Sequence, residues 1–352
     1  MTGPVLITGG AGFIGCNLAD RIASSGRQVI VYDGLARAGV ENNLEWLKDR
    51  HGPLLDARVA DIRDDDALTD AVRQADAVFH MAAQVAVTTS LVDPIADFET
   101  NIRGTLSLLE AVRRRGEPVP VIFASTNKVY GDLADIALRD ENDRWVPEDN
   151  QVRAHGISED RPLDFHTPYG CSKGAADQYV LDYARSYGLP TAVVRMSCIY
   201  GPRQMGTEDQ GWVAHFLIRA LEGKPITIYG DGKQVRDVLH VDDAVDAYLA
   251  AWERIGQVSG RVFNLGGGAD NAISLRRLVH HIEQVLGRPV QTSYEDWRAG
   301  DQRSFVADAR AAREALGLAA PKPWRDGVAE LAAWLADARD LPFSARHMEA
   351  AE

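Results

Sequence analysis

A glycine-rich turn near the N-terminus constrains the fold of this chain more than any other feature. Residues 4–8 form a short apolar run typical of a buried strand, and a helical pattern extends to about residue 23. Between them stand Gly9, Gly12 and Gly15. Glycines at such a place let the backbone turn tightly and approach a pyrophosphate, which then faces the N–H groups at the helix start. A strand, this turn and a helix in succession therefore predict a dinucleotide-binding unit.

An acidic residue follows this unit at the spacing that such a unit requires. The next apolar run, residues 28–32, ends in Asp33, about 20 residues beyond the glycine turn. A carboxylate at this point accepts hydrogen bonds from an adenosine ribose and repels a 2′-phosphate. The cofactor is therefore predicted to be NAD and not NADP, although Arg37 nearby weakens this preference slightly.

The chain continues as an alternation of apolar runs and helical patterns. Strands are predicted at residues 56–60, 77–80, 119–124, 191–195 and 226–229, and helices at 66–74, 98–115, 169–187 and 275–286. This alternation predicts an α/β fold with a doubly wound parallel (Rossmann) sheet, with ligands at the carboxyl ends of the strands. A smaller C-terminal α/β domain is expected to bind the substrate.

The domain limits follow from the same alternation. We expect residues 1–190 to form the NAD-binding domain with the catalytic helix, and residues 191–340 to form mainly the substrate domain, interleaved with the first. Residues 341–352 lack periodicity and are expected to be a flexible tail. The polar stretch 132–165 is expected to be a long loop over the site, or a partly disordered one.

A tyrosine and a lysine four residues apart, Tyr169 and Lys173, lie on one face of the helix predicted at 169–187. A neighbouring ammonium favours a phenolate, so Lys173 is expected to lower the pKa of Tyr169 from its usual value near 10. Such a phenol can take a proton from a sugar hydroxyl and return it. The alternative is an exposed helix with a lysine that reaches into solvent. Further along, Asp242 is a candidate N-cap for the helix that ends near residue 252.

The composition narrows the class of protein. The net charge of −13 argues against a nucleic-acid partner held by a basic face. Three cysteines, an odd number without metal-ligand spacing, predict a reducing cytoplasm and neither a disulfide framework nor a metal site. No signal peptide is visible, and no apolar run approaches the roughly 18 residues of a membrane span. We therefore expect a cytoplasmic protein without a membrane partner.

These segments together resemble the extended branch of the short-chain dehydrogenase/reductase superfamily. The resemblance rests on the glycine turn at residues 8–15, on Ser-Thr-Asn-Lys-Val-Tyr-Gly at 125–131 and on Tyr-Gly-Cys-Ser-Lys at 169–173. It implies that Thr126, Tyr169 and Lys173 form a catalytic proton relay beside the nicotinamide of NAD. It also implies a homodimer or homotetramer, because relatives pair through helices like 98–115 and 170–187.

The cofactor contacts implied by the glycine turn, the strand ends and the resemblance form one set. They are Gly9, Gly12, Phe13, Ile14, Gly15, Asp33, Asp61, Ile62, Ala82, Ala83, Gln84, Asn101, Ser125, Tyr169 and Lys173.

The pair Asn127-Lys128 distinguishes between branches of the family. Members that remove water from a nucleotide sugar carry Asp-Glu here as general acid and base, and neither a carboxamide nor an ammonium can replace them. The alternative is that Asn127 and Lys128 lie in a solvated loop. Within the family, the sequence is most similar to the branch that inverts C2 of CDP-paratose, from the first strand to about residue 335. The substrate contacts thereby implied are Val85, Thr126, Asn127, Lys128, Ser197, Cys198, Gln210, Arg236 and Arg303.

Two of these expected contacts concern the substrate diphosphate. Arg236 and Arg303 resemble family positions that hold it, and arginine suits phosphate oxygens. Most members have Asn where this chain has Cys198, which puts that contact in doubt; a small buried thiol is the expected role.

The resemblance implies an NAD-dependent epimerase of a nucleotide-activated hexose, with a CDP-hexose favoured and NAD retained between turnovers. An NDP-hexose 4-epimerase of the UDP-glucose type, and a 2-epimerase of another CDP- or NDP-hexose, are alternatives. A non-catalytic NAD-binding regulator is disfavoured because Thr126, Tyr169 and Lys173 are all present. A net dehydrogenase or reductase would require exchangeable cofactor.

Overall fold

The computed structural model describes residues 3–298 and 300–343. The end of the predicted tail, residues 344–352, lies outside this described part. Every helix within it is too short or too polar to cross a membrane.

Fifteen strands are present in the described residues. They are β1 Val5–Thr8, β2 Val29–Asp33, β3 Leu55–Val59, β4 Ala77–His80, β5 Val121–Thr126, β6 Leu138–Glu141, β7 Arg144–Pro147, β8 Thr191–Met196, β9 Cys198–Tyr200, β10 Ile226–Tyr229, β11 Val235–His240, β12 Arg261–Leu265, β13 Ala272–Ser274, β14 Thr292–Glu295 and β15 Ser304–Phe305.

The α-helices of the described residues lie between and after these strands. They are α1 Phe13–Ser24, α2 Val40–His51, α3 Asp65–Gln74, α4 Val87–Val92, α5 Pro94–Phe98, α6 Gly104–Arg115, α7 Asn150–His155, α8 Thr167–Tyr187, α9 Trp212–Leu221, α10 Val241–Glu253, α11 Ile255–Val258, α12 Leu275–Leu286, α13 Arg310–Leu316 and α14 Trp324–Ala338.

The central sheet has seven strands in the order β12-β8-β5-β4-β1-β2-β3, all parallel. Its inner strands β1, β4 and β5 are buried on both faces, as in other parallel sheets, whereas the edge strand β3 is partly exposed. Alternate residues face opposite cores: Val5 and Ile7 pack against α1, α2 and α10, whereas Leu6 packs against α3, α6 and α8. This is the doubly wound Rossmann-like fold that the alternation predicted. Because β1, β2, β4, β5 and β8 run in the same direction, their carboxyl ends form one edge, where the ligand cavity lies.

A second core lies outside the central sheet. It is built from α9, α12 and α14 with apolar residues of β10, β11 and β13. The central sheet also takes two strands, β8 and β12, from beyond residue 190. The interleaved arrangement is therefore visible, and the domain limit at residue 190 stays a prediction.

Three local expectations need correction. Residues 132–165 contain the hairpin β6–β7 and the helix α7, stabilised because the Trp145 indole donates to Asp231 at 2.9 Å. They do not line the cavity described below. The helix predicted at 98–115 is interrupted by a π-helical turn, Glu99–Arg103. The N-cap of α10 is His240, whose ring accepts a hydrogen bond from the backbone N–H of Asp242 at 3.3 Å.

The helix α8 carries Tyr169 and Lys173 and is held by a buried ion pair. The Asp177 carboxylate on α8 accepts hydrogen bonds from Arg195 of β8 at 2.8 and 2.9 Å, and both side chains are almost inaccessible to water. Ser125, at the end of β5, donates to the same carboxylate at 2.7 Å. One carboxylate thus joins the catalytic helix to two strands of the sheet.

Removing this carboxylate is expected to destabilise the protein strongly. Asp177→Ala should lower the free energy of unfolding by about 3–5 kcal/mol, because Arg195 would remain charged and buried without its partner. Urea denaturation followed by circular dichroism measures this change.

Asp182→Ala is the matched control. Asp182 lies on the same helix and pairs with Arg185, but both side chains are well exposed, and exposed pairs contribute little. A loss of stability as large in this variant as in Asp177→Ala would show that the buried pair has no special role.

Candidate active site

A large cavity, of about 680 Å³, lies at the carboxyl edge of the central sheet. One half is lined by the glycine turn and the ends of β2, β4 and β5. The other half is lined by residues of β9, β10 and β11, the start of α9 and the segment that contains Arg298. The two halves meet at Tyr169 and Lys173, so one cavity can hold a dinucleotide and a second ligand together.

The glycine turn fits a dinucleotide for steric reasons. A Cβ added to Gly15 would collide with the carbonyl oxygen of Gly9, and one added to Gly9 would lie 2.7 Å from the backbone nitrogen of Ala82. Gly9 also has φ +69°, which L side chains rarely adopt. The absence of side chains therefore brings β1, α1 and the β4 exit loop together around a space that a pyrophosphate can enter.

The carboxylate of Asp33 lies at the end of β2 and lines the cavity. It accepts hydrogen bonds from the backbone N–H groups of Ala11 at 3.0 Å and Leu35 at 2.8 Å. These two bonds fix the carboxylate between the glycine turn and the loop after β2, where a ribose would be held. Arg37 also lines this region.

Most of the predicted cofactor residues line the cavity, and two do not. Those in the lining are Gly9, Gly12, Phe13, Ile14, Gly15, Asp33, Asp61, Ile62, Ala82, Ala83, Ser125, Tyr169 and Lys173. For Gln84 and Asn101 the expectation of direct contact needs correction. The buried Asn101 amide bonds the backbone N–H and C=O of Gln84 at 2.9 and 3.1 Å and the Ser172 hydroxyl at 2.9 Å. Asn101 therefore supports the β4 exit loop from behind.

Thr126, Tyr169 and Lys173 come together where β5 ends against the first turns of α8. Thr126 and Tyr169 are each less than one-tenth exposed, and both line the cavity. The Lys173 ammonium donates to the carbonyl of Ala124 at 2.6 Å and lies 4.2 Å from the ring centre of Phe123. The predicted triad is thus assembled inside the cavity.

Burial dominates the electrostatics of the triad. It raises the pKa of Tyr169 to about 12, against the opposing effect of the Thr126 hydroxyl. Burial also lowers the pKa of Lys173 to about 7, although Asp177 and Asp97 raise it. The expectation that Lys173 lowers the pKa of Tyr169 is therefore wrong for this structure, because removal of the phenol from water raises that pKa and dominates it.

The predicted substrate residues around β5 and β9 also line the cavity. Val85, Asn127, Lys128, Ser197, Cys198, Gln210 and Arg236 belong to this set. The Cys198 sulfur accepts a hydrogen bond from the Trp212 indole at 3.4 Å, and burial raises the pKa of the thiol. Cys198 is therefore held as a neutral thiol, and its side chain is half-buried in the cavity wall.

Lys128 and Arg236 converge on one carboxylate. Arg236 donates to Asp301 at 2.5 Å, and the Lys128 ammonium lies 4.0 Å from the same oxygen. Lys128 also donates to the carbonyl of Gly300 at 3.0 Å. Burial, together with the charge of Arg236, lowers the pKa of Lys128 to about 8.

Arg303 is the third predicted site residue that does not line the cavity. Its guanidinium is exposed and lies 5.4 and 5.5 Å from the ring centres of Trp145 and Trp297. The predicted diphosphate contact needs correction, because the side chain is taken up by two aromatic faces outside the cavity.

Sequence reasoning missed an aromatic and charged group at the far end of the cavity. Tyr229 of β10 lines it, with Arg298 stacked 3.8 Å from the ring centre and Glu208 beside both. These residues come from three distant parts of the chain, so no local spacing indicates them. The sequence gives one indication of this group: Tyr229 is the last residue of the strand predicted at 226–229, and ligands are expected at strand ends.

A group of possible metal ligands lies away from the cavity. His240, Asp242 and Glu330 present ligand atoms within 4.8 Å of one another. The Lys322 ammonium lies 2.6 Å from Glu330 and 3.6 Å from Asp242. A side-chain cation thus already neutralises these acids, and we assign no metal to them.

A family model describes this combination of sheet, glycine turn and triad. Residues 5–266 match the model of the NAD dependent epimerase/dehydratase family. The chain belongs to this family. It is therefore an NAD-dependent enzyme, which confirms the predicted family and cofactor.

Individual relatives cover nearly the whole chain. The CDP-paratose 2-epimerase of Salmonella typhi is 43% identical over 343 residues, 94% of this chain and 98% of the relative. The UDP-glucose 4-epimerase of Thermotoga maritima, solved with UDP-glucose, has a TM-score of 0.82 at 31% identity and covers 96% of this chain and 99% of its own. The UDP-glucose 4-epimerase of Thermus thermophilus, solved with NAD, has a TM-score of 0.79 at 30% identity, with 95% and 99% covered. With the family established, these likenesses confirm the predicted enzyme class, an NAD-dependent nucleotide-sugar epimerase.

Proposed function

We propose that the protein inverts C2 of a CDP-hexose, with CDP-paratose as substrate and CDP-tyvelose as product. The observation that carries the proposal is the end of β5, where Thr126 is followed by Asn127 and Lys128 inside the cavity beside Tyr169. Neither side chain can act as the carboxylic acid and base of a sugar dehydration. The 43% identity with the CDP-paratose 2-epimerase of Salmonella typhi supports the choice of C2 and of CDP.

The neighbours of Asn127 and Lys128 support a positioning role for both. The Asn127 amide donates to Gln302 at 3.3 Å, and Lys128 donates to the carbonyl of Gly300. Asp301, the nearby carboxylate, is paired with Arg236. These groups can therefore hold the hexose and its diphosphate, and the proton chemistry is left to Thr126 and Tyr169.

The proton transfer is assigned to the buried triad. Tyr169 takes the proton of the C2 hydroxyl and later returns it, while Thr126 bonds the reacting oxygen and Lys173 stabilises the phenolate. NAD, held by the glycine turn and Asp33, would supply a hydride acceptor for C2 that can return the hydride to the opposite face, and its positive ring would favour the phenolate of Tyr169. The product is therefore an epimer with no net oxidation.

Oxidation at C2 itself is the simplest chemistry. A ketone at C4 acidifies the hydrogens on C3 and C5 but leaves C2 untouched, so transient oxidation at C4 cannot invert C2. The keto-sugar must then turn over between the two hydride transfers. A cavity of about 680 Å³ that spans both ligand halves has room for that rotation.

A second candidate function is epimerisation at C4 of UDP-glucose. The likeness to the Thermotoga maritima UDP-glucose 4-epimerase favours it, and the same triad would serve that reaction.

A cytoplasmic location stays a prediction.

A turnover assay in deuterated water separates the candidates. The purified protein, without added cofactor, is expected to convert CDP-paratose to CDP-tyvelose with no deuterium at C2, because the hydride is returned from bound NAD. NMR of the product sugar reads both the inverted carbon and the label. Tyr169→Phe is the matched control and should lower kcat by about 10²–10⁴-fold, the usual contribution of a general base.

Deuterium at C2 would show that the hydrogen leaves as a proton and would contradict the mechanism. Inversion at C4 of UDP-glucose, with CDP-paratose left unchanged, would establish the second candidate instead.

The pH dependence of nucleotide binding tests the role of Lys128. Its pKa is lowered to about 8 in the folded protein, so the ammonium is charged below that pH and neutral above it. The affinity for CDP is therefore expected to fall between pH 7 and pH 9, as measured by calorimetry. Lys128→Met should bind CDP more weakly at pH 7 and show little of this dependence; a dependence equal to that of the wild type would exclude Lys128.

The protein is also proposed to form a homodimer or homotetramer. Four apolar side chains of α4 and α5, Leu91, Val92, Ile95 and Phe98, are between 46% and 86% exposed, more than single scattered residues require. Sedimentation velocity is expected to show an oligomer that Val92→Glu with Ile95→Glu converts to a folded monomer. A monomeric wild type would refute this assembly.

A further inference from the structure

The far end of the cavity can be located by following contacts away from the triad. The backbone N–H of Lys128 bonds the Thr126 hydroxyl, and the Lys128 ammonium approaches Asp301, which pairs with Arg236. Two residues before Arg236, Gln234 bonds the backbone of Tyr229. A substrate with its hexose at Thr126 and its diphosphate at Arg236 would thus extend its nucleoside towards Gln234 and Tyr229.

The hydrogen-bond donors at this end are already engaged. The Tyr229 hydroxyl donates to the Glu208 carboxylate. Arg298 donates to the Glu208 carboxylate at 3.1 Å and to the backbone carbonyl of Glu208 at 2.9 Å, and the centre of its guanidinium lies 3.8 Å from the Tyr229 ring centre. A ligand therefore gains little from offering acceptors to these two donors.

Two acceptors at this end, in contrast, have unused capacity. Gln234 is only 3% exposed, and its amide oxygen has no hydrogen-bond partner among the described residues. Its orientation is fixed, because the amide nitrogen donates to the carbonyl of Tyr229 at 2.6 Å. Glu208 receives its two side-chain bonds on one oxygen and lines the cavity. The hydroxyl of Tyr229 keeps the pKa of Glu208 below its usual range, so the carboxylate is charged at neutral pH.

We propose that Glu208 and Gln234 form an acceptor pair that selects cytosine through its exocyclic amine, which makes Glu208 a specificity-determining residue. Cytosine carries an amino donor at ring position 4, and carboxylates accept from this group. Uracil carries a carbonyl oxygen there, which would face the negative charge of Glu208. This inference rests on the proposed function in one respect, that the substrate enters with its hexose at Thr126.

Binding of the nucleotides alone tests the selection without requiring turnover. Calorimetry on the NAD-loaded protein is expected to give a Kd for CDP about tenfold or more below that for UDP, as one good base contact provides. In Glu208→Gln the two Kd values should come within about threefold, because the amide can turn to donate to the uracil carbonyl. The gain in UDP affinity is the decisive readout, since a poorly folded variant would lose affinity for both nucleotides.

Asp209→Asn is the matched control. Asp209 is the next residue and lines the cavity, and its replacement removes the same charge, but it contacts Arg298 only at 3.6 Å. This variant should keep the wild-type preference for CDP. An equal loss of preference in both variants would overturn the assignment to Glu208 and would show that the total negative charge at this end of the cavity sets the preference.

The remaining outcomes separate this inference from the proposed reaction. A preference for CDP that survives in Glu208→Gln overturns the inference and leaves the CDP-sugar proposal intact. A wild type that binds UDP as well as CDP overturns the base selection, and the NMR assay then still decides whether C2 is inverted.

Discussion

The position of the catalytic groups depends on one ion pair that water does not reach. Asp177 lies one turn beyond Lys173 on α8, and its carboxylate bonds both Arg195 of β8 and Ser125 of β5. Ser125 directly precedes Thr126. The Asp177–Arg195 ion pair, with its bond to Ser125, therefore fixes the position of α8 relative to the end of β5. A buried pair of this kind adds little net stability compared with a hydrophobic contact, but breaking it is costly. It therefore acts chiefly by permitting one arrangement of helix and strands.

The same burial explains why the charges of the triad differ from the sequence expectation. Reasoning from the Tyr-Lys spacing considers only the attraction between the two groups. In the folded chain both leave water, which favours the neutral phenol and the neutral amine. The pKa of Tyr169, about 12, and that of Lys173, about 7, shift in the directions that make both neutral near pH 8. A cationic ligand placed beside Tyr169 would favour its phenolate and so oppose the effect of burial on that group.

Local patterns were sufficient for the first half of the fold and insufficient for much of the second. The strand at 77–80 and the helix at 275–286 have the predicted limits, because a continuous apolar run or a strong helical period marks each. Local patterns do not predict β9 and β11, because β9 has only three residues and β11 takes its partners β9, β13 and β15 from distant parts of the chain. The hairpin β6–β7 was taken for a loop because its pattern is polar. The site shows the same limit. The spacing of Gly9, Gly12 and Gly15 is a local pattern and can be recognised in the sequence. The position of Arg303 cannot, because Trp145 and Trp297, which lie far apart in the chain, hold its side chain outside the cavity.

An enzyme that returns a hydride to the opposite face must bind the nucleotide part of its substrate firmly and leave the hexose free to turn over. Any contact that fixes one face of the hexose stabilises the substrate more than the turned-over keto-sugar and so slows the second transfer. Favourable contacts accelerate both transfers only when they are made to the part of the substrate that keeps its position. The charged groups of the cavity follow this division: Lys128 and Arg236 lie beyond the triad, and Tyr229 with Arg298 lies further still. Near the triad the cavity is lined by the small side chains of Thr126 and Cys198, which would leave a hexose at the proposed position room to rotate while the nucleotide anchors it.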